Sequence, residues 1–232
     1  MIIKSSRISR GRTKALTSYF SSEGDNQSAC WRYGGVSDIA WMALPAQITG
    51  QVFQVRHVII APEMELSMTD LAAATKAVCD EYGVSHLARG QACIVEHAKA
   101  NEGQVKAIPH FHLLLPEYDM GTGRVMDSRF TRMRDEKLSR MLELRFEHPS
   151  RAGQFNKEVY SGLHEEFPGL CLIPFQQTLK QMSVEAGLSA RDWLSFRAKA
   201  PAPAKSWMAR RKDAKSMALL EDVNGLHMSR FL

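Results

Sequence analysis

Pro109-His110-Phe111-His112-Leu113-Leu114-Leu115-Pro116 decides how the rest of the chain is read. In a β-strand successive side chains point to opposite faces, so His110 and His112 stand side by side on one face while Phe111 and Leu113 go to the other. Upstream, Gln91-Ala92-Cys93-Ile94-Val95-Glu96-His97 reads as a second short apolar strand ending in a histidine. The segment from Ala98 to Ile108 holds Asn101 and Gly103 and is polar enough to turn the chain back. The two strands are therefore expected antiparallel, with His97 beside the pair. A lone strand histidine is usually a half-buried polar residue. Three that converge are expected to share a metal ion.

Composition bounds what surrounds this stretch. The 232 residues are enough for one substantial core, or for one domain with a small appendage. Hydrophobic residues make up 44% and charged residues 24%, as in ordinary globular proteins. No apolar run is long enough to span a membrane, and Met1-Ile2-Ile3-Lys4 does not open a secretory signal, so the cytoplasm is the expected compartment. Cys30, Cys79, Cys93 and Cys171 are scattered and form no CxxC pair, which argues against a disulfide framework or a zinc knuckle. The net charge is +5, and its distribution says more than its size. Lys4, Arg7, Arg10, Arg12 and Lys14 lie in the first twenty residues with no acid among them. From Arg191 to Leu232 nine Lys and Arg stand against four Asp and Glu. Two basic ends flanking a candidate metal site favour nucleic acid over other partners.

Taken in order, Ile2-Ile3 and Ile8 suggest a first strand, and Ser9-Arg10-Gly11 a turn. Thr13 then caps a helix in which Leu16, Tyr19 and Phe20 fall at i, i+3 and i+4, placing Tyr19 toward the buried side. Residues 21 to 50 lack clear periodicity and are broken by Gly34-Gly35, Pro45 and Gly50, with a turn or two of helix over Asp38 to Leu44; a long connection is expected, of the kind that serves as a flap. Gln51 to Ala61 is a central strand containing His57, and a packing helix follows from Ser67 or Thr69 to Gly83. Further helices are expected from Ser128 or Thr131 to Glu147 and from Asn156 to Phe167. The order predicts an α+β fold: a mainly antiparallel sheet with helices packed on one face, the other face left for the histidines and a ligand, and then a helical C-terminal region. The domain division is 1–175 and 176–232. Within Gln176 to Phe196, Ala186-Gly187-Leu188-Ser189 resembles the turn of a helix-turn-helix, which would start a recognition helix at Ser189 and include Arg191. Ala200-Pro201-Ala202-Pro203-Ala204 is a stiff linker to a basic tail with Arg210-Arg211-Lys212.

A tyrosine, three histidines and basic flanks form a chemically coherent set. Tyrosine is a poor nucleophile near pH 7 and needs a neighbouring base or cation. A divalent cation on His97, His110 and His112 would polarise a phosphate oxygen. The chain resembles the HUH endonucleases, and among them the conjugative relaxases or mobilisation nucleases of the MOBP type. The resemblance rests on Tyr19 after a strand and helix, His57 in Val55-Arg56-His57-Val58-Ile59-Ile60, Glu96-His97, and His110-Phe111-His112, over roughly residues 1 to 165. It implies site- and strand-specific nicking at an origin of transfer, a 5′-phosphotyrosyl intermediate on Tyr19, strand rejoining, and Mg²⁺ or Mn²⁺ on the three histidines. It also implies single-stranded and duplex DNA, relaxosome accessory proteins and a type IV coupling protein as partners. The stretch between His97 and His110 is longer than the family's tight loop and lacks its acidic residues after the first histidine. Asp25 or Glu96 is left as the activating carboxylate. Tyr33, and after it Tyr118, are rival nucleophiles. His57 either orients a ligand from the second layer or is a core histidine. Lys4, Arg7, Arg10, Arg12, Lys14 and Arg191 are the expected phosphate contacts, with Trp31 or Trp41 available to stack on bases. Competing readings are a rolling-circle replication initiator or transposase of the same class, a DNA-binding accessory protein without chemistry, and an unrelated metal hydrolase.

Overall fold

Strand β5, His110–Pro116, lies at the centre of a five-stranded antiparallel sheet in the order β1-β3-β5-β4-β2. The computed structural model describes residues 1–21, 29–97, 108–189 and 191–198. Strand β1 is Ile2–Ser9, helix α1 Thr13–Ser21, β2 Ala29–Tyr33, α2 Val36–Ile48, β3 Phe53–Ala61, α3 Met68–Glu81, α4 His86–Gly90 and β4 Cys93–His97. After β5 come a small hairpin of β6, Tyr118–Asp119, and β7, Arg124–Val125, then α5, Thr131–Arg145, α6, Asn156–Glu166, and α7, Ile173–Glu185. Strands β3, β5 and β4 are the inner ones, and β3 and β5 are buried on both faces over most of their length. Strands β4 and β5 pair antiparallel with His97 opposite His110. Their connecting turn lies outside the described residues, as do Asp25, the Ala200–Ala204 linker and the basic tail.

The larger helical layer covers one face. Val58 and Ile60 of β3 and Phe111, Leu113 and Leu115 of β5 share a core with Leu71 and Val78 of α3, Leu138 and Leu142 of α5, Val159 and Leu163 of α6, and Phe175 and Leu179 of α7. Helix α3 starts where its cap allows: the Ser67 hydroxyl accepts from the Asp70 N–H, and the Asp70 carboxylate accepts from the Ser67 N–H. Several buried polar groups on this face pair with one another, although Arg56 Nη1 and Arg140 Nε have no partner among the described residues. Buried Glu117 accepts from Arg56 at 2.9 Å and from Arg7 at 2.6 Å. Asp135 accepts from the Ser5 N–H and the Tyr82 hydroxyl, each at 2.7 Å.

The opposite face is not left open. Helices α1 and α2 lie over part of it and bury Leu16, Phe20, Ile39, Met42 and Ala43. Here β2 and the 13-residue α2 replace the long connection expected from sequence. Helix α2 is apolar nearly all round and contains Pro45, so it shows no amphipathic stripe to mark it. Strand β2 is a short edge strand whose pairing with distant β4 defines it.

Residues Met1–Ala198 form one compact unit, and α7 belongs to its core through Phe175 and Leu179. After Gly187, at φ +78°, the described chain makes a 3-10 turn at Trp193–Ser195 where a recognition helix was expected. Trp193 packs edge-on against Tyr160 of α6, which fixes that turn to the helical layer. No described helix is long and apolar enough to cross a membrane.

Candidate active site

Alternation along β4 and β5 puts His97, His110 and His112 on the α1 side of the sheet, and the register sets His97 directly across from His110. One nitrogen from each ring lies within 4.8 Å of the others. The ring centres of His110 and His112 are 4.9 Å apart, and those of His97 and His110 5.0 Å. His97 and His112 are buried and His110 is half-buried, so the cluster opens to solvent on the His110 side.

His57 joins them from β3. Its Nε2 lies 2.7 Å from Nδ1 of His112, with the two rings within 16° of parallel. Burial, and then the charge of His110, pulls the His57 pKa down to about 4. Burial also holds His112 well below the usual imidazole range, reinforced by His57, His110 and His97. A neutral His57 that accepts at Nε2 leaves the proton of His112 on Nδ1 and the lone pair on Nε2. That Nε2 is buried and has no hydrogen-bond partner among the described residues. An orphaned buried nitrogen beside two further imidazoles is what a cation would satisfy, so this donor set fits a metal. All-imidazole ligation suits Zn, Fe, Ni or Cu by softness and leaves the metal's identity open.

Tyr19 reaches the cluster from α1. Its hydroxyl is 3.3 Å from Nδ1 of His97, and its ring meets those of His97 and His112 edge-on at 5.7 and 6.2 Å. The neighbouring Phe20 packs 5.2 Å from the His112 ring and 5.9 Å from Trp31 of β2, walling the buried side. The i, i+3, i+4 pattern identified Phe20 as apolar but gave no sign that it would touch a histidine. Tyr33 sits at the other end of β2 from the residue paired with His97, and it is 54% exposed. Tyr118 lies six residues beyond His112, roughly 20 Å along the chain.

Glu96 does not join the site. Alternation turns it to the face opposite His97, where it accepts from Arg32 Nε at 2.6 Å. The basic residues divide as well. Lys4 shares the face of His57 and is exposed, while Arg10, Arg12 and Lys14 are exposed around the start of α1. No ion pair holds any of these four among the described residues. Arg7 points to the opposite face and neutralises Glu117. Arg191 is exposed beside the 3-10 turn, remote in sequence from the other five.

No family model matches this chain, and no curated protein matches it. Among solved structures the chain is similar to the conjugative relaxase TrwC in complex with OriT DNA, in a metal-free and a metal-bound form. Identity is 10% in both, the alignment covers 94% of this chain and 98% of that one, and the TM-scores are 0.37 and 0.35.

Proposed function

We propose that this chain is a relaxase: a strand-specific DNA nickase and religase that works through a covalent tyrosine adduct at an origin of transfer. The observation that carries the reading is the Tyr19 hydroxyl 3.3 Å from a histidine of the three-imidazole cluster. A phenol and a metal-type site placed this close provide both partners of a phosphoryl transfer.

Tyr19 is the proposed nucleophile. With His97 held through Nε2, its Nδ1–H donates to the tyrosine oxygen, fixing that oxygen and favouring the phenolate. The bond from Tyr19 Oη to phosphorus forms as the bond to the 3′ oxygen breaks, and the phenolic proton ends on that 3′ hydroxyl. One phosphodiester replaces another, so the bond energy is kept for rejoining. A divalent cation, Mg²⁺ or Mn²⁺ in this reading, bound by His97, His110 and His112 would supply Lewis-acid stabilisation of the charge that develops on phosphate. His57 holds His112 in the tautomer that leaves Nε2 available. Lys4, Arg10, Arg12 and Lys14 supply positive charge along the DNA path, with Arg7 reserved for Glu117. In this reading the compact unit 1–198, rather than 1–175, carries the chemistry, and the basic segment that follows it engages duplex DNA, accessory proteins or a coupling protein in the cytoplasm.

The test is a denaturing gel of wild type, Tyr19→Phe and Tyr33→Phe with labelled single-stranded DNA tiled across the chain's own genetic element, with Mn²⁺ or EDTA. A metal-dependent adduct lost only in Tyr19→Phe is expected. An adduct that survives Tyr19→Phe, or none from wild type on any tile, would overturn the reading.

A further inference from the structure

Between β2, the start of α2 and the segment before β4 lies a cavity of about 250 Å³, lined by Tyr33, Gly34, Asp38, Trp41, Gln91 and Ala92 among others. Its two aromatic side chains are exposed, Trp41 at 69% and Tyr33 at 54%. Rings this large usually go to a core. Helix α2 already has a core face in Ile39, Met42, Ala43 and Ala46, so Trp41 is extra to the packing of this unit.

We propose that this cavity seats one unpaired base of the DNA strand, guanine in preference to the others. The inference rests on the single-strand reading of the active site and adds a specificity pocket to it. Three observations lead there. The cavity is smaller than the pockets that take drug-sized ligands and suits a single ring system. Its lining combines aromatic surface, on which any base can stack, with two polar side chains able to read a base edge. The Gln91 amide makes no hydrogen bond among the described residues, so it is free both to donate and to accept. One oxygen of Asp38, Oδ2, accepts the Gly35 N–H at 2.8 Å. Its carboxylate can only accept, which favours an edge with adjacent N–H donors. Guanine has these at N1 and N2, and its O6 can take the donor of Gln91.

Position agrees with this. Ala29 pairs with His97 and Tyr33 with Ile94, so the cavity lies about four residues, roughly 13 Å, along the edge strand from the tyrosine and histidines. Aromatic contacts lead from the tyrosine toward this edge, Tyr19 to Phe20 at 5.1 Å and Phe20 to Trp31 at 5.9 Å, and the register shift after Trp31 sets Tyr33 opposite Ile94 at the end of the strand, beside the cavity. A strand leaving Tyr19 along this edge reaches the cavity within a few nucleotides. Gly34 shapes the approach. It has φ +69°, and a Cβ there would meet Cys93 Sγ at 2.7 Å, so a larger residue would push this wall apart.

The experiment is fluorescence anisotropy of wild type, Trp41→Ala and Gln91→Ala with a labelled dT decamer and the same decamer carrying one central dG. Thermal melts check that both variants fold. Wild type is expected to bind the dG strand roughly tenfold tighter than the dT strand. Gln91→Ala should remove that preference, and Trp41→Ala should weaken both strands by roughly tenfold. Folded variants that bind both strands like wild type overturn the pocket. If they do so while Ile48→Asp dissolves a self-association of the wild type, the exposed side of α2 is a protein contact. Failure of the nuclease reading shows separately, as absence of adduct from wild type whatever these affinities are.

Discussion

The two faces of β5 treat polar groups in opposite ways. On the helical side, unlike groups meet: Glu117 between Arg56 and Arg7, Asp135 against Ser5 and Tyr82. On the α1 side, like groups meet: four imidazoles crowd one another, and His112 keeps a buried nitrogen with no partner among the described residues. Opposite charges that meet neutralise each other and stabilise a fold only modestly, even where, as at Arg56 Nη1, one N–H is left without a partner among the described residues. Imidazoles that converge lower one another's proton affinity, and the arrangement gains most when a cation takes their lone pairs. The first pattern is structural, and the second is one that a cation would satisfy.

The largest expected effect separates the faces by activity. His110→Ala and His112→Ala should each abolish adduct formation while leaving single-strand affinity within about threefold, since phosphate contacts supply most of that affinity. Retained nicking in both, on a gel with excess Mn²⁺, would remove the metal assignment. The matching test of the helical face is Glu117→Gln, which leaves buried Arg56 without its counter-charge. It should cost about 3–5 kcal/mol in denaturant unfolding.

Metal and pH sharpen the contrast at a smaller scale. A divalent cation at a hundred times its Kd should raise unfolding free energy by about 2.7 kcal/mol, and His112→Ala should lose that gain. In the metal-free protein the folded pKa of His57 is about 4, below its usual value of 6.5. Between those values the unfolded chain binds a proton that the folded chain refuses, so stability is full above 6.5 and falls as pH drops toward 4. His112, shifted the same way, adds to the fall. Unfolding midpoints measured from pH 7 to pH 4 should show this slope, with His57→Gln flattening it. A flat profile in the wild type would mean that the imidazoles are better solvated than their packing implies. The smallest effect concerns surface charge. Lys4→Ala should reduce the salt dependence of DNA binding by about one phosphate contact, whereas Arg7→Ala should leave that slope unchanged and lower stability instead.

Much of this contrast was legible beforehand. Period-two alternation alone put His110 and His112 on one face, and the helical spacing of Leu16, Tyr19 and Phe20 turned Tyr19 inward. The same alternation, applied to Glu96, would have sent it across the sheet from His97, where Arg32 holds it. Residues 29–48 were hidden for two reasons. A helix that is apolar all round carries no period, and an edge strand of five residues is defined by its partner. The helix-turn-helix resemblance at Gly187 reflected a glycine that ends α7, a signal shared by most helix C-termini.

The sequence by itself determined the antiparallel histidine strands, the two-histidine face and the inward tyrosine, because side-chain direction in a strand or helix follows from local backbone geometry. Only the tertiary structure decided that β3 would lie beside β5, so that His57 meets His112. It also decided that α1 would fold back over β4, so that Tyr19, rather than Tyr33 or Tyr118, stands against His97. These contacts join residues 55 and 78 positions apart. No local rule reaches that far; strand pairing and the burial of Leu16 and Phe20 between α1 and the sheet set them.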